Sequence, residues 1–382
     1  MNTRKLYYED QDLVEFSAKV LACEKCDKGF WVTLDKTAFY PEGGGQACDT
    51  GVLGGAQVLD VQERGEEVVH LCDKALEAGA AVSGKIDYDR RFDLMQQHAG
   101  EHIICGIANR LYGCHNVGFH VGADRVTVDL DKFIPWEKLL EIETMANQAV
   151  FDDVSLKCWF PAEEELPHVE YRTKKRLNYP VRIVEIPGYD VCACCGLHVK
   201  RTGQIGLIKL VSAVKFHQGV RIEMVCGRRA LALVQAVFEE NRQVSQAFSA
   251  QMLETGAAAR RMNDALAQEK FRAVGLQKAL LEQKAKEYAG CGDVLIFEDL
   301  APADLREFAD CVAKVCGGTA AVFSGSDETG YNLCLVNKSA DVKELGQLLN
   351  ARGGGKPGYF QGSVAATKER IMEIFPITFG KK

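Results

Sequence analysis

Over residues 1–86 the apolar positions come in short runs with weak alternation. Phe30 to Leu34, Thr50 to Leu53, Ala56 to Val61 and Glu67 to Leu71 read as strands, separated by glycines such as Gly43-Gly44-Gly45 and Gly54-Gly55. A small β-barrel accommodates that pattern. From Asp89 to Leu111 the period becomes helical, with Phe92, Met95, Ile103, Ile104 and Ile107 as core positions. Val126 to Leu130 alternates as a strand, Trp136 to Val150 is an amphipathic helix, and Leu177 to Ile186 and Gly206 to Val214 suggest further strand pairing. Residues 87–227 therefore read as an α+β core. Residues 228–290 hold no proline and many Ala, Gln, Glu, Lys and Arg residues with spaced leucines. They predict one or two long helices forming a coiled-coil-like linker, with Gly256 as the break. Residues 291–382 read as an α/β domain: strands at Val294–Phe297, Thr319–Ser324 and Leu333–Val336, helices at Pro302–Val315 and Val342–Leu349, then a glycine-rich loop from Arg352 to Gly358 and a final helix. The expectation is an α+β multidomain chain with boundaries at 86, 227 and 290.

Composition changes this picture little. Hydrophobic residues make up 47% and charged residues 26% of 382, as in ordinary globular proteins, and that excludes disorder over most of the length. The N-terminal MNTRKLYYEDQDLVEF places acidic residues where a secretory leader needs an apolar core. No apolar run approaches the roughly 20 residues that cross a bilayer. The expected location is the cytoplasm, with no membrane partner and no DNA. In that reducing setting most of the 15 cysteines read as small core residues. The net charge of −7 argues against indiscriminate nucleic-acid binding but leaves room for a local basic surface, such as the run Arg172, Lys174, Lys175, Arg176.

The strongest chemistry is His98-Ala99-Gly100-Glu101-His102. Four residues along a helix advance about 40° beyond one turn, so both imidazoles share a face. Downstream, Cys194 and His198 stand four apart in Cys194-Cys195-Gly196-Leu197-His198. Three imidazoles and a thiolate suit Zn²⁺, one per chain. Either half alone is a weak signal; together, in one predicted domain, they are a strong one. A zincin is excluded by order, since its Glu must follow the first His and here Glu101 precedes the second. Cys192 is an alternative ligand. Cys23-Glu24-Lys25-Cys26 lacks a second Cys pair and reads as a hairpin turn. His115 and His120 are pocket-lining or surface histidines.

The second signal is Phe39-Tyr40-Pro41-Glu42-Gly43-Gly44-Gly45-Gln46, whose glycines permit close backbone approach to a ligand. These octapeptide residues, the His98/His102 pair and Cys194-x-x-x-His198-Val199, in that order, resemble the editing region of alanyl-tRNA synthetases and the free-standing AlaX trans-editing proteins. The similarity continues through Gly219-Val220-Arg221-Ile222-Glu223 and the long helix, and the glycine-rich C-terminal unit resembles the synthetase's DHHA1-type domain. Most of the chain is covered.

The resemblance implies a zinc-dependent trans-editing hydrolase of Ser-tRNA(Ala), and of Gly-tRNA(Ala) as a second substrate, without aminoacylation, because no segment before Thr37 is long enough for a class II catalytic domain. By the same resemblance His98, His102, Cys194 and His198 carry zinc and Gln46 projects towards the scissile ester as the catalytic residue. Gly43, Gly44, Gly45, Arg352, Gly353, Gly354, Gly355 and Lys356 are the expected RNA contacts, with tRNA(Ala) as partner and a homodimer through the helix and terminal domain. One departure stands out: synthetases commonly have Thr-Ala-Thr between the histidines, where this chain has Ala99-Gly100-Glu101. Whether zinc activates water or holds the substrate's amino group is open. The rival readings are a tRNA-binding module with structural zinc, and editing of Ser-tRNA(Thr).

Overall fold

The computed structural model describes residues 2–173, 177–337 and 342–379. Lys174, Lys175 and Arg176 of the predicted charge run lie outside the described residues. The chain divides into two compact units, Met1–Gln243 and Val244–Lys382.

In the first unit, six strands (Glu15–Cys26, Gly29–Leu34, Glu67–Cys72, Ala56–Arg64, Gly51–Leu53 and Ala81–Ile86) pair antiparallel in that order and close on themselves. The opening stretch Glu15–Val20 alternates exposed and buried side chains strictly, with Phe16, Ala18 and Val20 turned into the barrel core against Val32, Leu34, Leu53 and Val61. This strand and Ala81–Ile86 were not expected from the pattern; small residues (Ala18, Gly84) interrupt the inward row between Phe16, Val20 and Ile86 and flatten the hydrophobic signal. Cys23 and Cys26 lie at the end of the first barrel strand beside its hairpin turn.

The helix Tyr88–Tyr112 follows directly. Asp87 caps its start by accepting from the Arg90 backbone N–H at 3.2 Å, and Gly113 ends it in the left-handed conformation with φ 60°. Almost every residue from Leu94 to Ala108 is buried, so this is a central helix rather than an amphipathic one, and its weak periodicity follows from that. It packs on a four-stranded sheet ordered Ile208–Phe216, Gly219–Cys226, Val126–Leu130, Asn116–Val121, against the helix Trp136–Asp152, and near a three-stranded sheet of Lys157–Trp159, Ile183–Ile186 and Asp190–Ala193. The strand expected over Leu177–Ile186 begins only at Ile183; Pro180 upstream has no N–H to give a ladder. Arg91 is fully buried and ties the helix to the barrel side: it donates to Asp49 and to the carbonyls of Gln11, Leu13 and Ala38.

Two helices, Gly227–Ala247 and Thr255–Ala285, occupy the predicted linker. The interruption is residues 248–254, with Ser249 at φ 49°, and not Gly256, which sits inside the first turn of the second helix where a glycine is tolerated.

The second unit is a five-stranded sheet ordered Gly292–Phe297, Gly317–Ser326, Gly330–Val336, Tyr359–Val364, Arg352–Lys356, the first pair parallel and the others antiparallel. Leu281, Ala285, Phe308 and Val312 pack with Val294 and Val322 in one cluster; Ile371, Ile374 and Phe375 pack with Phe323 and Leu333 in another. Arg352–Lys356, expected as a loop, is the exposed edge strand of this sheet, folded onto Tyr359–Val364 by a turn with Gly358 at φ 77°. Propensity opposed that strand and pairing produced it: a Cβ on Gly355 would fall 1.9 Å from the Tyr359 carbonyl oxygen. Among the described residues no helix is long and apolar enough to cross a membrane.

Candidate metal centre

The helix delivers His98 and His102 one turn apart, and the loop after strand Asp190–Ala193 delivers Cys194 and His198. The ring centroids are 5.3 Å apart for His98 and His102, 4.6 Å for His98 and His198, and 4.7 Å for His102 and His198. Cys194 Sγ lies 3.4 Å from His98 Nε2, and one donor atom from each of the four residues falls within 4.8 Å of all the others. Bond lengths of 2.0–2.3 Å in a tetrahedral shell put donors roughly 3.4–3.8 Å apart, so this cluster needs only a small contraction. All four side chains are buried or nearly so.

The residues fit zinc on a second ground. Both ring nitrogens of His198 are buried and have no hydrogen-bond partner among the described residues, a costly state that a metal bond would relieve. Burial, with His98 and His102 beside it, holds the His198 imidazole neutral by pushing its pKa well below the ordinary value. Burial also raises the Cys194 thiol well above its ordinary value. A bound cation would stabilise the Cys194 thiolate and take up the His198 lone pair.

The other ring nitrogens are already committed. Nδ1 of His98 bonds to Gln46 Oε1 at 3.0 Å, and Nδ1 of His102 bonds to Asp190 Oδ2 at 2.9 Å. Both contacts select the tautomer whose Nε2 carries the lone pair on the side of the cluster. Gln46 is fully buried, and its oxygen also accepts from the Leu197 backbone N–H at 3.1 Å. Asp190 is gripped from behind by Arg172, whose Nε and Nη2 donate at 2.6 and 2.7 Å. Burial works against the Asp190 charge, yet the bonds from His102 and Arg172 outweigh it and hold the carboxyl below its usual value. Gly196 closes the arrangement: a Cβ there would sit 2.1 Å from His98 Cε1.

His98, His102 and Cys194 help line a cavity of about 880 Å³, shared by Tyr8, Gly44, Glu101, Phe160 and Arg182 among others, and His198 lies behind them. Glu101 Oε1 accepts from Asn116 and from the Cys105 thiol, while Oε2 lies 4.0 Å from His102 Nε2. Of the glycine loop, Gly44 reaches the cavity and Gly45 packs on Phe119. Cys192 is buried beside His102 and Asp190, in a grouping that excludes the other three donors. His115 is exposed and paired with Asp131 at 3.1 Å, and His120 is exposed on strand Asn116–Val121; neither is among the residues lining this cavity. Arg352–Lys356 belongs to the second unit. Asp190, Gly196, Tyr8 and Phe160 escaped sequence reading, since a single Asp, Gly or aromatic carries no spacing signal. Arg172 was read as surface charge and is mostly buried.

Residues 181–223, which include Cys194 and His198, match the family described as the threonyl and alanyl tRNA synthetase second additional domain. Residues 4–90, the barrel region with Gln46, match class II (A) tRNA synthetases. The barrel region and the loop carrying Cys194 and His198 are thus the segments that resemble tRNA-synthetase families. The alanine–tRNA ligase of Pyrococcus abyssi is 32% identical over 405 residues, covering 97% of this chain and 43% of the relative. That of Thermofilum pendens is 32% identical over 393 residues, with 96% and 43% covered, and that of Ignicoccus hospitalis 36% over 240 residues, with 59% and 26% covered. The chain is a relative of the alanyl-tRNA synthetases, related to their editing region, and spans less than half the length of these ligases.

Proposed function

We propose that this protein is a zinc-dependent hydrolase that removes serine, and secondarily glycine, from mischarged tRNA(Ala), acting in trans and without aminoacylation. The observation that carries the reading is the buried His98/His102/Cys194/His198 cluster, three of whose members line a cavity and whose His198 has no hydrogen-bond partner among the described residues, in a chain similar over nearly its whole length to alanine–tRNA ligases.

Zinc in this shell would supply a Lewis acid for the ester carbonyl or for water. The chain's own residues orient and select. Gln46 and Asp190 hold His98 and His102 with Nε2 inward, so Gln46 acts through His98 and does not touch the ester. Glu101 presents a carboxylate oxygen inside the cavity, and a serine hydroxyl can donate to it. Alanine would leave that buried oxygen unpaired, which is the way a polar site rejects an isostere lacking the hydroxyl. The cavity encloses the reacting groups, where fixed dipoles act more strongly than in water. Arg352 and Lys356, the two ends of the exposed edge strand, contact RNA phosphates, so neutralising each lowers the slope of log K against log salt by about 0.9. A homodimer through the long helices accompanies this reading.

The test is deacylation of Ser-, Gly- and Ala-charged tRNA(Ala), with Ser-tRNA(Thr) alongside and a His98→Ala control. Selective loss of serine or glycine from tRNA(Ala), absent in the folded variant, supports the proposal. Equal loss of alanine sinks the selectivity, and preference for Ser-tRNA(Thr) moves the substrate to the threonine system that the matched domain also serves. The four-donor shell, which leaves no open position at four-coordination, favours one second reading: structural zinc in an RNA-binding module. In that case no charged tRNA is hydrolysed, and chelation unfolds the first unit.

A further inference from the structure

The cavity is far larger than an amino acid requires. At about 880 Å³ it stands near the top of the range that encloses drug-sized ligands, and the metal-donor cluster occupies only one wall. The rest of the lining includes Tyr8, Phe160, Leu177, Val181 and Arg182. In an aminoacyl-tRNA the ester sits on the terminal ribose, and the terminal base hangs from the same sugar ring. Whatever surface lies one sugar's breadth from the ester therefore receives that base.

Phe160 is 48% exposed. An exposed Phe alone is ordinary; its fixation here is not. Its ring meets Tyr8 edge to face, with centroids 5.6 Å apart and planes at 71°. The Tyr8 hydroxyl donates to the Cys195 carbonyl at 2.9 Å. The Arg182 guanidinium lies over the Tyr8 ring at 4.9 Å, and its Nη1 donates to the carbonyls of Cys194 and Gly196 at 3.0 and 2.8 Å. An apolar ring facing the cavity is thus linked, contact by contact, to the loop that carries Cys194 and His198.

We propose that Phe160, held by Tyr8 and Arg182, is the stacking platform for the 3′-terminal base of the bound RNA; this rests on the aminoacyl-tRNA hydrolase reading. Stacking on an aromatic face tolerates any base. That tolerance suffices, because all tRNAs end in the same nucleotide and no base readout is needed. The platform gives affinity and places the ester against the metal-donor wall, while tRNA identity is read elsewhere.

The experiment uses the full-length protein and an uncharged tRNA(Ala) acceptor microhelix with 2-aminopurine as its 3′-terminal base. Stacking quenches that fluorophore and involves no hydrolysis. The expected result is quenching by the parent and by Phe160→Trp, with loss of quenching and on the order of tenfold weaker binding in Phe160→Ala. With Ser-charged RNA, Phe160→Ala raises KM by a similar factor and leaves kcat nearly unchanged. A microhelix with an abasic 3′ terminus weakens binding to the parent equally and to Phe160→Ala no further. Full quenching by Phe160→Ala, or independent losses from the variant and the abasic RNA, overturns the platform. Quenching that depends on Phe160 with no hydrolysis of any charged tRNA upholds the platform and removes the hydrolase reading instead.

Discussion

Replacing Asp190 by Asn isolates what holds His102 in place. The carboxylate accepts on both sides, from His102 Nδ1 at 2.9 Å and from Arg172 at 2.6 and 2.7 Å. An amide of the same shape must turn its NH₂ towards one of those donors. If it faces His102, the ring moves its proton to Nε2 and loses the lone pair it directs into the cluster. Loss of such an orienting partner typically lowers metal affinity 10–100-fold, or about 1.4–2.7 kcal/mol. A separate cost falls on folding. Breaking a buried ion pair costs about 3–5 kcal/mol, and because 15% of the Arg172 side chain is exposed, this pair belongs near the lower end. The two effects separate in a variant series. Asp190→Asn should weaken zinc binding, measured by competition against a chromogenic chelator, and also lower the urea midpoint of the metal-free protein. Arg172→Met leaves the Asp190–His102 bond intact, so it should lower the midpoint while weakening zinc by less than Asp190→Asn does. A zinc Kd for Asp190→Asn within twofold of the parent would refute the tautomer argument, whatever happened to stability.

Three further outcomes follow from the geometry. Gly196→Ala places a methyl 2.1 Å from His98 Cε1; the imidazole must move, and zinc affinity should fall at least tenfold, with an unchanged Kd showing that the loop yields instead. Arg91→Met strands the buried Asp49 carboxylate, which burial already drives upward in pKa, and should cost about 3–5 kcal/mol in chemical denaturation; a loss under about 1 kcal/mol would mean that the Arg91–Asp49 link does not hold barrel and helix together. His70 is buried in the barrel, its ring bonded to Thr37 Oγ1 at 2.8 Å and the Val32 carbonyl at 3.0 Å, and burial lowers its pKa to about 4. Since the unfolded chain takes up this proton near 6.5 and the folded one only near 4, stability is complete above pH 6.5. It should then decline as pH falls to about 4, by about 3 kcal/mol at most. His70→Gln should flatten that slope, and an equally steep slope in the variant would assign the loss to other groups.

The convergence of His98, His102, Cys194 and His198 was legible in the sequence because both halves obey local rules. His98 and His102 share a helix face by the 3.6-residue period, and Cys194 and His198 lie close enough in one loop to converge. The helical stretches and most strands were legible for the same reason, as near-neighbour periodicity. What escaped depends on contacts between distant segments. Asp190 stands 88 positions from His102, and no property of an isolated Asp marks the histidine it will orient. Arg172 looked like solvated charge because it opens a basic run, yet a carboxylate across the fold neutralises it and draws it inward. Arg352–Lys356 looked like a loop because glycine weakens strands locally, but a neighbouring strand supplied the ladder. Gln46 was visible as the end of a motif, and only packing decided that its oxygen faces His98. Local pattern encodes which residue types recur on a face; which distant group completes each hydrogen bond is settled only when the chain closes on itself.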